Sequence, residues 1–133
     1  MSKKVLVIDD SASIISIVKA VLREGGFNAQ SASNGEMGIQ LAGEEHPDLI
    51  ILDRHLPGMD GNEVLTRFKK DRFLSHIPVV MLTSENKLEE IKASMALGAA
   101  AYIIKPFQPK DFLVKINAVL AKKGDSSGTW QVG

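Results

Sequence analysis

DLIILDRHLPGMDG, residues 48–61, places four apolar residues in a row between the Pro47-Asp48 turn and the carboxylate of Asp53. A strand with one wet face alternates apolar and polar residues. An unbroken apolar run this short reads instead as a strand buried on both faces, as in parallel sheets covered by helices. It is far too short to span a bilayer. Beyond the LPGMDG turn, Asn62–Lys70 repeats apolar residues at Val64, Leu65 and Phe68, which is helical spacing. The segment is therefore one strand–turn–helix unit.

Working outward from it, the same unit recurs on both sides. Val5–Ile8 predicts a buried strand, and Ser11–Glu24 a helix with Ile14, Ile17, Val18, Val21 and Leu22 inward, stopped by Gly25-Gly26. Phe27–Ala32 is a weaker strand, followed by a helix around Gly35–Glu45. On the other side Val79–Leu82 is a strand, followed by a helix that Asn86 could cap with Glu89 as its capping-box partner. The inward stripe of that helix is predicted as Leu88, Ile91 and Met95. Ala101–Ile104 is the last strand, and Pro109 opens a last helix with Phe112, Ile116, Val119 and Leu120 on one face. Five such units predict an α/β fold, a five-stranded parallel sheet doubly wound by helices through right-handed crossovers, and five are too few to close a barrel. From Gly124 the periodicity stops, which divides the chain into a domain over residues 1–123 and a tail or linker over 124–133.

The composition narrows the function classes. A chain of 133 residues, 44% hydrophobic and 24% charged, is long enough for one well-buried core. Sixteen Lys and Arg balance sixteen Asp and Glu, which argues against a nucleic-acid or membrane footprint. There is no cysteine, so disulfides, thiolate zinc sites and cysteine nucleophiles are excluded. MSKKVLVIDD meets acidic residues too early for a signal peptide, so the expected location is cytoplasmic.

In open parallel sheets, ligands bind beyond the carboxyl ends of the strands. The first apolar run ends in Asp9-Asp10, the third in Asp53, the fourth in Thr83-Ser84 and the fifth in Lys105-Pro106. Singly, each residue has an ordinary reading: acids favouring a helix N-terminus, a capping threonine, a surface lysine. Together they bring three carboxylates, a hydroxyl and an ammonium to one crevice, and no packing requirement asks for that. Carboxylates a few ångströms apart repel by about a few kcal/mol per pair at an effective dielectric of about 20, unless a cation sits among them. Oxygen ligands on so few residues suit Mg²⁺ better than zinc or a fully caged Ca²⁺.

With VLVIDDS at 5–11, DLIILDRHLPGMDG at 48–61, PVVMLTS at 78–84 and AYIIKPF at 101–107, the chain resembles the receiver domain of two-component response regulators from Lys3 to Lys123. The resemblance implies a flavodoxin-like sheet in the order 2-1-3-4-5. It implies that Asp53 is the phosphoacceptor, taking a phosphoryl group from a histidine kinase or phosphotransfer protein in a phosphorelay. Asp10 matches the direct metal ligand and Asp9 the one acting through water. Asp53 and the backbone carbonyl of His55 complete the protein's share of the Mg²⁺ shell, with Mn²⁺ an acceptable substitute. Lys105 matches the lysine that pairs with Asp53 and then with phosphoryl oxygens, Thr83 the phosphate-binding hydroxyl, and Tyr102 the switch aromatic, otherwise a half-buried edge-strand tyrosine. The Lys105-Pro106 peptide is expected to be cis. The implied protein is a signalling switch that catalyses its own phosphorylation and dephosphorylation, not an enzyme acting on another substrate. Its downstream partner would meet the fourth helix, fifth strand and fifth helix, as a monomer or a phosphorylation-dependent dimer. The chain alone should bind no DNA and no membrane.

Arg54 and His55 depart from the family's commoner apolar or amide residues after the acceptor, and Ser84 stands where alanine is common. His55 and Glu85 occupy positions that tune phosphate lifetime in the family. The three histidines, His46, His55 and His76, fall on separate loops, which argues against a histidine metal site. Arg67, Lys69, Lys70 and Arg72 read as a solvated helix face, and Gly58 and Gly61 as turn residues. Three other functions fit less well. A phosphohydrolase forming an aspartyl phosphate resembles a D-x-D motif, and here Arg54 and His55 follow Asp53. A flavin mononucleotide binder would not set DDSAS against a phosphate. A scaffold that never takes phosphate has no use for the complete set.

Overall fold

A computed structural model describes residues 2–128. The chain order is β1 (Lys4–Ile8), α1 (Ala12–Glu24), β2 (Asn28–Ala32), α2 (Gly35–Glu45), β3 (Leu49–Leu52), α3 (Gly61–Lys70), β4 (Val79–Thr83), α4 (Leu88–Ala96), β5 (Ala101–Ile104) and α5 (Pro109–Gly128). The five strands are parallel, in the order β2-β1-β3-β4-β5. This is the doubly wound fold expected from the apolar runs.

Strand alternation divides the core in two. Leu6, Ile8, Ile50, Leu52 and Met81 face one side, where Ala42 of α2, Val64, Leu65 and Phe68 of α3, and the partly buried Ile91 of α4 cover them. Val5, Val7, Leu49, Ile51, Val80, Leu82 and Ile103 face the other, under Val18 and Leu22 of α1 and Phe112 and Ile116 of α5. Each such side chain, fully buried, contributes about 1.5–3 kcal/mol. Because β1, β3 and β4 are covered on both faces, their sequences are apolar without alternation.

Helix ends follow local chemistry. Ser11 caps α1 through Ile14 N, Asn34 caps α2 through Met37 N, and Asp60 caps α3 through Asn62 N. His46 closes α2 in the left-handed region at φ 48°. The cap of α4 is Lys87, with no side-chain hydrogen bond, not Asn86. The inward stripe of α4 also differs from the expectation: Leu88 and Met95 are exposed, while Ser94 is buried and Ile91 partly so. Polar contacts to α3 and its loop turn the helix this way, because Ser94 Oγ bonds Asn62 Oδ1 at 2.8 Å and Glu90 bonds Arg54. Ile17 of α1, expected inward, is exposed. Helix α5 runs through Gly128, past the point where the sequence periodicity stops, and Trp130 lies outside the described residues. Among the described residues no helix is long and apolar enough to cross a membrane.

Candidate functional site

The strand order reverses between β1 and β3, and the candidate site sits at the carboxyl edge of that central pair. Main-chain hydrogen bonds run just past the strand ends and fix the residues that follow. Asp9 N donates to Ala32 O at 3.1 Å, Asp53 N to Ile8 O at 2.9 Å, and Lys105 N to Thr83 O at 2.9 Å. Three residues far apart in sequence are thus held by one ladder.

Asp9, Asp10 and Asp53 offer carboxylate oxygens within 4.8 Å of one another, the only His, Cys, Asp or Glu cluster of this kind among the described residues. Asp9 and Asp53 are buried, at 1% and 6% exposure, and Asp10 is exposed. Burial, then the Asp9 charge, pushes the Asp53 carboxyl above its ordinary value; Lys105 and the His55 N–H oppose this, and Asp10 adds to it. Lys105 Nζ lies 3.0 Å from Asp9 Oδ2 and 3.8 Å from Asp53 Oδ2, so its nearer partner is Asp9. Asp9 Oδ1 also accepts from Ser11 N at 2.9 Å, and Asp53 Oδ1 from His55 N at 3.3 Å. Hard oxygen donors, two buried and one open to solvent, form a set that fits a hydrated divalent cation.

Thr83 ends β4 fully buried, and its Oγ1 accepts from Glu85 N at 3.2 Å. Tyr102 is buried at 9% exposure, more than the half-buried edge residue expected, and its hydroxyl donates to Glu85 O at 3.1 Å. Burial, then the Glu85 charge, raises the Tyr102 phenol above its ordinary value. His55 is exposed, with Nε2 3.9 Å from Glu85 Oε2. The Lys105-Pro106 peptide is cis.

Three residues at the site make contacts that their sequence readings did not include. Glu85 is the shared anchor of Thr83 and Tyr102. Arg54 bonds both Asp60 and Glu90. A Cβ on Gly61 would lie 2.3 Å from Asp53 O, so this glycine permits a close backbone approach and is not merely a turn residue; the turn itself is Gly58, at φ 78°. The LPGMDG composition hinted at the glycines, whereas nothing local marks a pairing that spans β3 to α4.

Comparison with known proteins agrees with this geometry. The family model described as the response regulator receiver domain matches residues 5–117. The chain is 35% identical to the alkaline phosphatase synthesis transcriptional regulatory protein PhoP of Bacillus subtilis, over 92% of this chain and 50% of that one. It is 33% identical to the phosphate regulon transcriptional regulatory protein PhoB of Pseudomonas aeruginosa, over 100% of this chain and 59% of that one. The chain thus spans about half the length of these curated relatives. Among solved structures, a CheY-like response regulator receiver domain protein of Methanospirillum hungatei superposes with a TM-score of 0.88 at 31% identity, covering 95% of this chain and 99% of that one. The chemotaxis protein CheY4 of Vibrio cholerae does so at 0.85 and 31%, covering 90% and 99%. With the fold, the acidic cluster and the family match in agreement, the chain belongs to the receiver domains of two-component response regulators.

Proposed function

We propose that Asp53 accepts a phosphoryl group from the phosphohistidine of a histidine kinase or phosphotransfer protein. The supporting observation is a buried carboxylate set within 4.8 Å of two others, with one lysine at the rim. A carboxylate oxygen of Asp53 attacks phosphorus, the donor's P–N bond breaks, and its electron pair returns to the imidazole, which takes up a proton. An aspartyl phosphate results. Hydrolysis by water, catalysed by the same domain, returns the carboxylate and inorganic phosphate.

Asp10 and Asp53 would hold Mg²⁺ directly, Asp9 through water, and the His55 carbonyl would complete the protein's share, with Mn²⁺ able to replace it. The ion would supply charge neutralisation at the transferring group. Lys105 gives the second positive charge and moves from Asp9 and Asp53 toward the phosphoryl oxygens. Thr83 releases the Glu85 amide to donate its hydroxyl to phosphate.

Residues 1–123 form the receiver in this reading, and 124–133 a tail or linker. In this reading the chain works in the cytoplasm. Leu88, Met95, Leu97, Ile104 and Val114 are exposed around α4, β5 and α5, and this face would meet the downstream partner or, after phosphorylation, a second copy. Balanced charge argues against DNA binding by this chain alone.

Acetyl phosphate with Mg²⁺ should add one hydroxylamine-labile phosphoryl group to the wild type and none to Asp53→Ala, read by intact mass. Equal labelling of both would remove Asp53 from its role.

A further inference from the structure

Arg54 follows the proposed acceptor directly, and its side chain is 15% exposed. Nη1 bonds Asp60 Oδ1, and Nη2 bonds Glu90 Oε1 at 2.9 Å, a residue 36 positions away in the first turn of α4. The other oxygen of Asp60 accepts from Asn62 N at 3.1 Å, and Gly61 N donates to Arg54 O at 2.9 Å. Main chain and guanidinium of Arg54 therefore fold the loop from Asp53 to Gly61 back on itself and bind it to α4.

The partners of Arg54 are not held equally. Asp60 is built into the N-terminus of α3, whereas Glu90 belongs to a helix whose only fully buried residue is Ser94. One guanidinium serves two carboxylates here. The same small region holds Tyr102, whose hydroxyl feels the charges of Arg54, Glu90, Glu85 and Asp53 together. Negative charge gained on Asp53, the residue next to Arg54, draws on this guanidinium as well as on Lys105, and the less anchored carboxylate yields first.

We propose that Arg54 is a positioning residue for phosphoryl acceptance: through Glu90 it ties α4 to the acceptor loop, and negative charge gained at Asp53 loosens that tie. The inference rests on the assignment of Asp53 as acceptor. Its consequence follows from linkage: if charge at Asp53 weakens the Arg54–Glu90 bond, removing the bond must favour charge at Asp53 by the same factor. A merely structural pair gives the opposite sign or no change, because its loss can only disorder the loop.

The full chain is titrated with beryllofluoride in the presence of Mg²⁺, read by amide NMR, as wild type, Glu90→Ala, Glu89→Ala, Arg54→Met and the Arg54→Met/Glu90→Ala double variant. Alanine is the strongest helix former, so either α4 change keeps the helix. Glu90→Ala should bind beryllofluoride at least about fivefold more tightly, the lower end of ordinary coupling. It should also speed hydrogen exchange of the α4 amides in the metal-free protein. Exposed Glu89, in the same turn, should leave the affinity within twofold of wild type, about 0.4 kcal/mol. In the Arg54→Met background, Glu90→Ala should add nothing. Unchanged or weaker binding by Glu90→Ala overturns the proposal, as does equal tightening by Glu89→Ala, which would be a bulk charge effect. That pair decides even if Arg54→Met does not fold. Failure of the wild type to bind beryllofluoride would instead overturn the assignment of Asp53.

Discussion

The Tyr102 hydroxyl donates to the main-chain carbonyl of Glu85 at 3.1 Å. The amide of that same residue donates to Thr83 Oγ1 at 3.2 Å, so one peptide segment carries both side chains. A displacement of Thr83 toward a phosphoryl group would free the Glu85 amide and disturb the seat of Tyr102. Thr83→Ala should therefore still accept phosphate from acetyl phosphate. The amide NMR shifts it causes over Leu88–Ile104 should be less than half those of the wild type. Shifts of equal size would remove Thr83 from the coupling.

Gly61 makes the acceptor loop sensitive to a single methyl group. In Gly61→Ala the new Cβ would meet Asp53 O at 2.3 Å and Arg54 Cα at 2.7 Å, all backbone atoms that cannot rotate away. Overpacking of this kind costs about 1–3 kcal/mol. Urea denaturation should show that loss, and phosphoryl uptake should slow as the Asp53 carbonyl shifts. Gly43→Ala, where a Cβ meets nothing within 4 Å, should be neutral or stabilising and serves as the control.

The charge balance at Asp53 sets a pH dependence. Its folded-state pKa lies above the unfolded value, so the metal-free fold favours the protonated carboxyl. That contribution is fully present below the unfolded pKa and is lost as pH rises through the folded one. At neutral pH without metal, Asp53→Asn should melt higher than the wild type. The gap should close as pH falls below the ordinary carboxylate range. Thermal melts from neutral to acidic pH check this, and a mutant melting lower at neutral pH would assign Asp53 a structural role.

Divalent cation should act in the same direction on the wild type. Mg²⁺ at a hundred times its dissociation constant should stabilise the fold by about 2.7 kcal/mol. The effect should disappear in Asp53→Asn/Asp10→Asn, measured as the melting shift with and without Mg²⁺. A full shift in that double variant would place the cation elsewhere.

Lys105 is the cation nearest the cluster, and its removal should separate two properties. Asp9, 1% exposed, would lose a partner at 3.0 Å. In Lys105→Met the metal-free protein should lose about 1–3 kcal/mol in urea denaturation, since a buried acceptor would be left without its charged donor. Mg²⁺ affinity should rise, because a competing cation is gone, while acetyl phosphate labelling slows. Weaker Mg²⁺ binding in titration calorimetry would contradict that competition.

The sheet and the cluster at its edge were legible in sequence for one reason. A parallel strand covered on both faces is an unbroken apolar run, so Val5–Ile8, Leu49–Leu52 and Val79–Leu82 mark their own ends, and the edge strand Ala101–Ile104 is marked by its short run before Lys105-Pro106. Whatever follows each run lies along one edge, and Asp9, Asp53 and Lys105 need only that placement to meet. The orientation of α4 is of another kind. Its spacing predicted Leu88 and Met95 inward, yet hydrogen bonds from Arg54 to Glu90 and from Ser94 to Asn62 turn it the other way and leave both apolar residues in solvent. Periodicity records which residues of one helix share a face; it holds no information on a polar partner in another element. So the chain by itself determined the strands, their burial and the residues at their carboxyl ends. Tertiary structure decided the pairing of Lys105 with Asp9, the grip of Glu85 on Thr83 and Tyr102, and the tie from Arg54 to α4. Those depend on distances of about 3 Å between elements, fixed only once the layers have packed.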